Sequence, residues 1–465
     1  LYEDHWRPME KEFGQQAYGE KFDSFMRHYL TVKTGDIPKI GEIYEEFKKY
    51  TQLKEVAESG VEKLVADIHN YASYFCAFAL GKETDSDLNE AFRDLRELRV
   101  DVSYPFLLRL YADYEAKLIN KTDFISIIRM TESYVFRRAI CGIPTNSLNK
   151  TFAKFGDYIK KDRYLDSVKA YYMRMPSYRR FPKNDEFKRS LKIKDLYNMK
   201  NCSYFLRKLE NKDRKVIVIT DNLTIEHIMP QELTDEWKKE LGPEWQRIHE
   251  NYLHTLGNLT LTGYNPEYSN KSFREKRDMK GGFKESPLNL NKGLGNLDKW
   301  DENAIQERAE RLSGLATSVW EEPVIEGMPE DLFDTKPEVS EYTIETMDGS
   351  QHLRAGSEIR KLFDEFRKQV LAIDKVVVEE VKKLYIAYKA ETNFVDVVPQ
   401  AKALRLALNI DFNEINDPKK MCKDTSGVGR WGNGDTEVKL SSLEQLPYVM
   451  GLVRQAFEKQ MGNGE

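Results

Sequence analysis

The chain has 465 residues, of which 40% are hydrophobic and 32% are charged, and its formal net charge is −5. A chain of this length exceeds a single hydrophobic core, so we expect two to four domains. No apolar run is long enough to span a bilayer, and the negative balance excludes a chain that is a polycation throughout. A nucleic-acid site would therefore have to be a local basic patch.

The cysteines indicate a reducing environment and no metal framework. They are far apart and form no CxxC pair: Cys76, Cys141, Cys202 and Cys422. This spacing argues against a zinc ribbon and against a disulfide scaffold, and it fits the cytoplasm. The stretch 1–10 starts at Leu1 and reads as the inside of a folded domain, so we expect a piece of a longer protein.

Residues 1–215 are predicted to form a largely helical region. In 40–53 and 87–100 apolar residues recur every three or four positions beside charged faces, which is the pattern of an amphipathic helix. Asp87 and Asn89 are suitable caps near the start of the second of these helices.

The pattern changes over residues 216–322, which we expect to form a separate domain. The β-branched stretch 215–220, KVIVIT, predicts a strand, and 223–231, LTIEHIMPQ, is strand-like as well. A polar helical insert at 234–252 follows. The alternating LTLT within 256–265 predicts another strand, which ends at a Gly and Asn turn. The last element is a basic helix, predicted at 267–279.

Residues 323–345 are predicted to be a linker, because 321–341 holds three prolines and many acids. Residues 346–465 are then a compact α+β module of ordinary domain size. Its predicted helices are 357–373 and 443–460, and its predicted strands are 384–390, 404–410 and 436–441. The fold class of the whole chain is therefore predicted to be multi-domain α+β.

The polar residues of the central region are the parts that phosphodiester hydrolysis needs. Glu226 and His227 are neighbours on one strand, so their side chains point to opposite faces. Asn258 starts the next strand, and Asn265 lies at the turn into the basic helix. Histidine can take a proton from water near neutral pH, and carboxylate and amide oxygens suit a hard divalent cation.

Basic residues after this turn predict contacts with a nucleic-acid backbone. Between Asn265 and Lys284 six basic residues face three acidic ones, opposite in sign to the chain as a whole. The expected phosphate contacts are Lys271, Arg274, Lys276, Arg277 and Lys280.

At these residues the sequence resembles a known family. The stretch 225–231, IEHIMPQ, followed by 256–273, LGNLTLTGYNPEYSNKSF, is similar to the HNH nuclease motif in its ββα-metal form. The closest resemblance is to the HNH domain on the C-terminal side of GmrSD-type, modification-dependent (type IV) restriction endonucleases. Residues 1–13 and the helices after them resemble the segment before that domain, and residues from 338 onward resemble a small accessory domain fused to it.

The resemblance implies roles for individual residues. His227 would be the general base, and Asn258 would position it, together forming the catalytic pair. Glu226 and Asn265 would bind the metal ion, with Asn270 as the alternative to Asn265. Many HNH enzymes have histidine at this last position, and asparagine there favours Mg²⁺, or Mn²⁺, over softer metals. The missing cysteines exclude the metal-stapled variant of the fold.

The implied function is hydrolysis of DNA, with phage DNA carrying modified bases as the expected substrate in anti-phage defence. The family's N-terminal domain carries a D-G-Q-Q-R signature that is linked to nucleotide use and to sensing of modified DNA. We find neither this signature nor a GxxxxGK[ST] loop, so the sensor domain is expected to be lacking, and a nucleotide triphosphate would be needed only if it were present. One alternative is a DNA-binding or scaffold portion whose nuclease site is dormant without the sensor. Another is an HNH enzyme acting on RNA.

Structural explanations remain open for several of these residues. Glu226 and His227 could form an ion pair at a strand end, Asn265 could be a helix cap, and the basic helix could be a solvated face. His249 and His254 lie five apart, which does not suit one helical face, so we interpret them as surface or loop-supporting residues rather than ligands. His254 precedes the second strand and is placed to brace the site.

The C-terminal module offers two weaker candidates. A second nuclease site could use Asp396 and Lys402 with the two acids Glu379 and Glu380, although their spacing is poor. The glycine-rich stretch 425–435 lacks a phosphate-loop pattern, and it reads as a connector or as a loop that orders on a partner. Its Arg430 and Trp431 could stack on a base. The sequence does not predict a function for this module or an oligomeric state for the chain.

Overall fold

The computed structural model describes residues 1–145, 148–175, 179–325, 342–374, 377–390, 392–426 and 434–461. The chain divides into two compact units. One unit comprises Leu1–Ile143, Asn149–Met173 and Phe181–Glu326, and the other contains Gly327–Glu465 together with two short segments, Pro144–Leu148 and Arg174–Arg180. Helices dominate the first unit and an antiparallel sheet dominates the second, so the prediction of a multi-domain α+β chain is confirmed.

The first unit opens with a helical array, as predicted. Its helices are α1 Arg7–Phe13, α2 Gln15–Thr34, α3 Ile43–Thr51, α4 Lys54–Ser59, α5 Val61–Ala79, α6 Ser86–Leu98, α7 Tyr104–Glu115, α8 Lys121–Ile140, α9 Leu148–Lys154, α10 Tyr164–Arg174, α11 Asn184–Ile193 and α12 Cys202–Asn211. The cap of α6 differs from the prediction. Asp85, before the helix, accepts hydrogen bonds from the backbone of Asp87 and Leu88, because a cap must precede the first free N–H groups.

The segment 215–220 does not form a strand, so that prediction was wrong. A strand needs a partner for its backbone groups, and here the side chain of Asn211 bonds both the N–H and the carbonyl of Val218 instead. Val216 is 79% exposed and Ile219 is 74% exposed, whereas the partly buried Val218 packs against the hydrophobic core.

The rest of the first unit is a short hairpin surrounded by helices. Its elements are β1 Thr224–His227, α13 Asp235–Leu241, α14 Trp245–Tyr252, β2 Leu259–Thr262, α15 Asn265–Tyr268, α16 Phe273–Asp278 and α17 Glu302–Val319. The predicted helix at 267–279 is broken in two. Ser269 has a positive φ of 43° that ends α15, and Ser272 with Glu275 forms a capping box that starts α16.

Residues on both sides of position 215 share one hydrophobic core. Leu259 and Leu261 of β2 pack with Phe205 and Leu209 of α12 and with Trp320 at the end of α17. A second core lies beyond β1 and includes Ile228, Met229, Trp237, Phe273 and Trp300. The hairpin is thus held between two apolar clusters, which fixes the direction of each of its side chains.

The second unit is a sheet packed with two helices. Its strands run antiparallel in the order β3-β4-β5-β6-β8-β7, with bounds β3 Val378–Val381, β4 Ile386–Lys389, β5 Asn393–Gln400, β6 Ala403–Leu408, β7 Cys422–Asp424 and β8 Thr436–Leu440. The helices are α18 Glu358–Leu371 and α19 Leu446–Met461. The predicted strands and helices of this module are confirmed. Strands β3, β5 and β7 were missed, and the predicted linker lies largely outside the described residues.

In the described ranges, each helix is too short or too polar to traverse a lipid bilayer.

Candidate active site

The hairpin register separates the two neighbouring polar residues of β1. Glu226 lies opposite Thr260, and His227 lies opposite Leu259. Since side chains alternate along a strand, Glu226 points towards α16 whereas His227 points towards the end of the helical array. The two residues therefore have different neighbours, as the sequence pattern indicated.

His227 is a buried, neutral imidazole held by a second histidine. It is 5% exposed, and its Nε2 lies 3.0 Å from Nδ1 of His254. Burial, followed by the charges of His254 and Lys276, lowers the pKa of His227 to about 4. Its Nδ1 has no hydrogen-bond partner among the described residues. This atom is not fully buried, so water reaches it.

Asn258 fastens the chain on both sides of the hairpin. Its Oδ1 accepts hydrogen bonds from the Met229 backbone at 2.7 Å and from Nε1 of Trp300 at 3.2 Å. Its Nδ2 donates to the carbonyls of Met229 and Leu253, each at 2.9 Å. The side chain is 0% exposed, so Asn258 positions the loop after His227 and is not available to a substrate.

Helix α17 supports residues 256–258, the LGN stretch before β2. The buried guanidinium of Arg308 donates to the carbonyls of Leu256, Gly257 and Leu259 at 2.8–3.0 Å, and to that of Leu290 at 3.1 Å. Gly257 lies so close to the carbonyl of Ile305 that a Cβ would clash with it. Sequence reasoning missed Arg308, because one arginine within an amphipathic helix gives no signal that it turns inward.

Glu226 is paired with a buried lysine. Nζ of Lys276 donates to Oε1 of Glu226 at 2.6 Å, and to the carbonyls of His227 and Ile228 at 3.0 and 3.2 Å. Burial raises the pKa of Glu226 and lowers that of Lys276, and in both cases the partner's charge opposes the shift. Three acceptors satisfy the ammonium, so this pair ties α16 to β1.

The basic residues after the hairpin divide into two groups. Lys271, Arg274 and Lys280 are exposed. Lys276 is 0% exposed and Arg277 is 8% exposed, and Arg277 pairs with Asp278 and with Asp298. The expectation that these last two contact DNA is corrected, because α16 turns them towards the interior of the domain.

The two asparagines proposed as metal ligands occupy different positions. Asn265 is the first residue of α15, and its Nδ2 donates to the carbonyl of Ile225 at 3.2 Å, next to Glu226. The N-cap of α15 is Tyr264, so Asn265 is not the helix cap that we considered as its alternative role. The Asn270 side chain makes no hydrogen bond with the described residues.

These donors fit a hard divalent cation. Two oxygen atoms remain available as ligands, Oε2 of Glu226 and Oδ1 of Asn265. Neither makes a hydrogen bond among the described residues, and neither is fully buried. One carboxylate and one amide oxygen suit Mg²⁺, which keeps several of its waters. No group of three or more His, Cys, Asp or Glu side chains in the described ranges could hold a metal, so a cation here would depend on the amide and on water.

The helical array contributes residues to the site that sequence reasoning missed. The Tyr197 ring meets His227 edge-on at 4.4 Å between centroids, and it stacks on His254 at 5.1 Å and 10°. The backbone N–H of Leu196 donates to the carbonyl of His254 at 2.9 Å. His249 bonds the carbonyl of Pro230 at 3.1 Å, which is the loop-supporting role that we predicted.

The C-terminal candidates show no free cluster of carboxylates. Glu379 accepts from Arg367 and Tyr388, and Glu380 pairs with Lys382. Glu380 and Asp396 share a sheet face through Ala387, whereas Glu379 lies on the other face and Lys402 in a turn. Arg430 and Trp431 lie outside the described residues.

Two parts of the chain match known families. Residues 181–315 match the C-terminal domain of GmrSD restriction endonucleases, and residues 350–460 match a domain of unknown function, DUF5655. The first match contains all the site residues of the hairpin region. This segment is therefore similar to a domain of restriction endonucleases.

An uncharacterized protein of Haemophilus influenzae is 36% identical to this chain over 110 residues. The alignment covers 23% of the chain and 36% of that relative. The chain therefore aligns with little more than a third of the relative's length.

Proposed function

We propose that residues 216–322 are an HNH endonuclease domain of the ββα-metal form, which hydrolyses phosphodiester bonds in DNA. The observation that carries this proposal is the geometry of His227, a neutral imidazole with one ring nitrogen held and the other open to water. The match of residues 181–315 to a restriction endonuclease domain supports the choice of DNA as the substrate.

In this proposal His227 acts as the general base. Its Nδ1 accepts a proton from water, the water oxygen bonds to phosphorus, and the bond from phosphorus to the leaving oxygen breaks. A depressed pKa keeps the imidazole unprotonated at neutral pH, so the base is ready before substrate binds. Asn258 acts through the loop after β1 and holds His227 in place.

Glu226 and Asn265 are the proposed ligands of Mg²⁺ or Mn²⁺, through Oε2 and Oδ1, and Asn270 is the alternative to Asn265. The ion, when bound, would neutralise charge on the phosphate and on the leaving oxygen. Lys276 keeps Oε1 of the same carboxylate occupied, so it orients the carboxylate and leaves Oε2 for the ion.

The proposed DNA contacts are the exposed cations Lys271, Arg274 and Lys280. A variant with glutamine at all three should bind DNA more weakly, and the slope of log affinity against log salt should become less negative by roughly 2 to 3. The measurement is fluorescence anisotropy of duplex DNA between about 50 and 200 mM salt, a range over which binding through phosphate contacts weakens strongly.

The matched control removes three exposed lysines of the helical array, Lys39, Lys54 and Lys63. An equal change of slope in the control would show that net charge alone is responsible and would contradict DNA binding through Lys271, Arg274 and Lys280.

The direct test of the nuclease is cleavage of plasmid DNA by the purified chain with Mg²⁺, with Mn²⁺ and with a chelator. Plain DNA and hydroxymethylcytosine DNA are compared. We expect cleavage that requires the metal, and a preference for modified DNA would support restriction of phage DNA. Metal-independent cleavage at the same rate would contradict the assigned role of Glu226 and Asn265.

A dormant nuclease site is the second candidate, and the ion pair of Lys276 with Glu226 is the observation that favours it. A domain awaiting a nucleotide-dependent sensor would bind DNA without cutting it. Cleavage absent with both metals, from folded protein that still binds DNA, would select this candidate.

We also propose that the chain works in the cytoplasm in defence against phage DNA that carries modified bases. Cys76, Cys202 and Cys422 are buried thiols, and burial raises the pKa of each to about 12, which suits proteins kept in a reducing compartment.

A further inference from the structure

His254 contacts the proposed base directly and is itself held on several sides. Its Nδ1 lies 3.0 Å from Nε2 of His227. Tyr197 stacks on its ring, and the backbone N–H of Leu196 donates to its carbonyl. The backbone of the preceding residue is held as well, because the carbonyl of Leu253 accepts a hydrogen bond from Nδ2 of Asn258. Such a restrained ring can determine the orientation of its neighbour.

The direction of this hydrogen bond decides whether His227 can act as a base. A neutral imidazole carries one proton, on either Nδ1 or Nε2, and its hydrogen bonds select the tautomer. If Nε2–H of His227 donates to Nδ1 of His254, the water-facing Nδ1 of His227 has a free lone pair. If His254 donates instead, that Nδ1 carries the proton and cannot accept another.

We propose that His254 is a positioning residue, which accepts the hydrogen bond from Nε2 of His227 and so keeps Nδ1 of His227 as the basic atom. This inference rests on the proposed nuclease function for its consequence in catalysis. The contact between the two rings is independent of that function, whereas the direction of the hydrogen bond follows from the role of His227 as the base. His254 would carry its own proton on Nε2, an atom that water also reaches.

The proposal explains why the helical array adjoins the nuclease hairpin. Leu196 and Tyr197 come from the segment between α11 and α12, and they fix the backbone and the ring plane of His254. Tyr197 also closes one side of the His227 ring. The array therefore contributes to the orientation of the base, and truncating it would release His254.

Two variants separate an acceptor from a packing ring. His254→Asn keeps an oxygen acceptor near the position of Nδ1 and loses the ring, whereas His254→Phe keeps a ring for Tyr197 and loses the acceptor. We expect the Phe variant to lose about 10²-fold in kcat with little change in KM, and the Asn variant to stay within about 10-fold of wild type, by analogy with partners that orient a ligating or catalytic histidine. Loss in the Asn variant with full activity in the Phe variant would indicate packing alone and would overturn the proposal.

The tautomer is read by nitrogen-15 NMR of imidazole-labelled protein, with His227→Ala used to assign the signals. We expect the proton on Nε2 of His227 in wild type and in His254→Asn, and a mixture of tautomers in His254→Phe. A wild-type proton on Nδ1 would overturn the inference even if the protein cleaves DNA. The expected tautomers without any cleavage would leave the inference standing and would count against the nuclease instead.

Discussion

Replacing His227 by alanine is expected to abolish DNA cleavage and to leave the fold intact. A positioned general base contributes roughly 10²–10⁴-fold to a rate. Among the described residues, no other side chain is hydrogen-bonded to His254, so none is held in the position of the His227 imidazole. The measurement is the single-turnover rate of plasmid cleavage, with circular dichroism to verify the fold. His69→Ala is the matched control, because this histidine lies on α5 among the helices. Wild-type cleavage by His227→Ala would disprove the assignment.

The same variant tests the depressed pKa of His227 through stability. The folded pKa of about 4 lies below the value near 6.5 expected for the unfolded chain, so unfolded protein binds the proton first as pH falls. The contribution of His227 is therefore fully present above pH 6.5 and is lost as pH falls towards 4.

That loss amounts to about 3 kcal/mol of unfolding free energy. Denaturant titrations at neutral and acidic pH should show that wild type loses more stability than His227→Ala over this window. Parallel losses in the two proteins would mean that the imidazole is not held neutral in the folded state.

Replacing Lys276 by methionine is expected to destabilise the first unit by about 3 to 5 kcal/mol, the cost of removing one partner of a buried ion pair. Methionine fills a similar volume, but it leaves the carboxylate of Glu226 and two backbone carbonyls without their shared donor. The measurement is the free energy of unfolding in urea.

A double variant separates the lost charge pair from lost packing. Glu226→Gln in the Lys276→Met background removes the stranded carboxylate, so it should recover part of the loss and give a coupling energy of about 1 to 3 kcal/mol. Arg274→Met, on the exposed face of α16, is the control and should change stability by less than about 0.5 kcal/mol. If Lys276→Met were as harmless as the control, Lys276 would have to be free to face DNA.

Much of the hairpin region could be predicted from local sequence. Alternation along a strand predicts that Glu226 and His227 face different partners, whatever the partners are. Asn258 is followed at once by the alternating LTLT of β2; its positioning role is what the family resemblance implies, and the structure adds the four hydrogen bonds of its side chain. These features depend on a few neighbouring residues, so their pattern carries the information.

Other features depend on contacts between distant segments. Charge and spacing in and around the predicted basic helix gave five phosphate contacts, but helix composition does not say which face is turned inward. Packing of Phe273 against Trp300 turns Lys276 inward. The strand predicted at 215–220 failed because its β-branched residues found no partner strand.

By itself, the sequence determined the elements that local periodicity controls, and it determined which side chains flank the hairpin at positions 226, 227 and 258. Only the tertiary structure decided what those side chains meet: Lys276 at Glu226, His254 and Tyr197 at His227, and Arg308 beneath the LGN stretch. The physical reason is that a buried polar group must find a partner, and that partner comes from any segment that the two hydrophobic cores bring close, however far away in sequence.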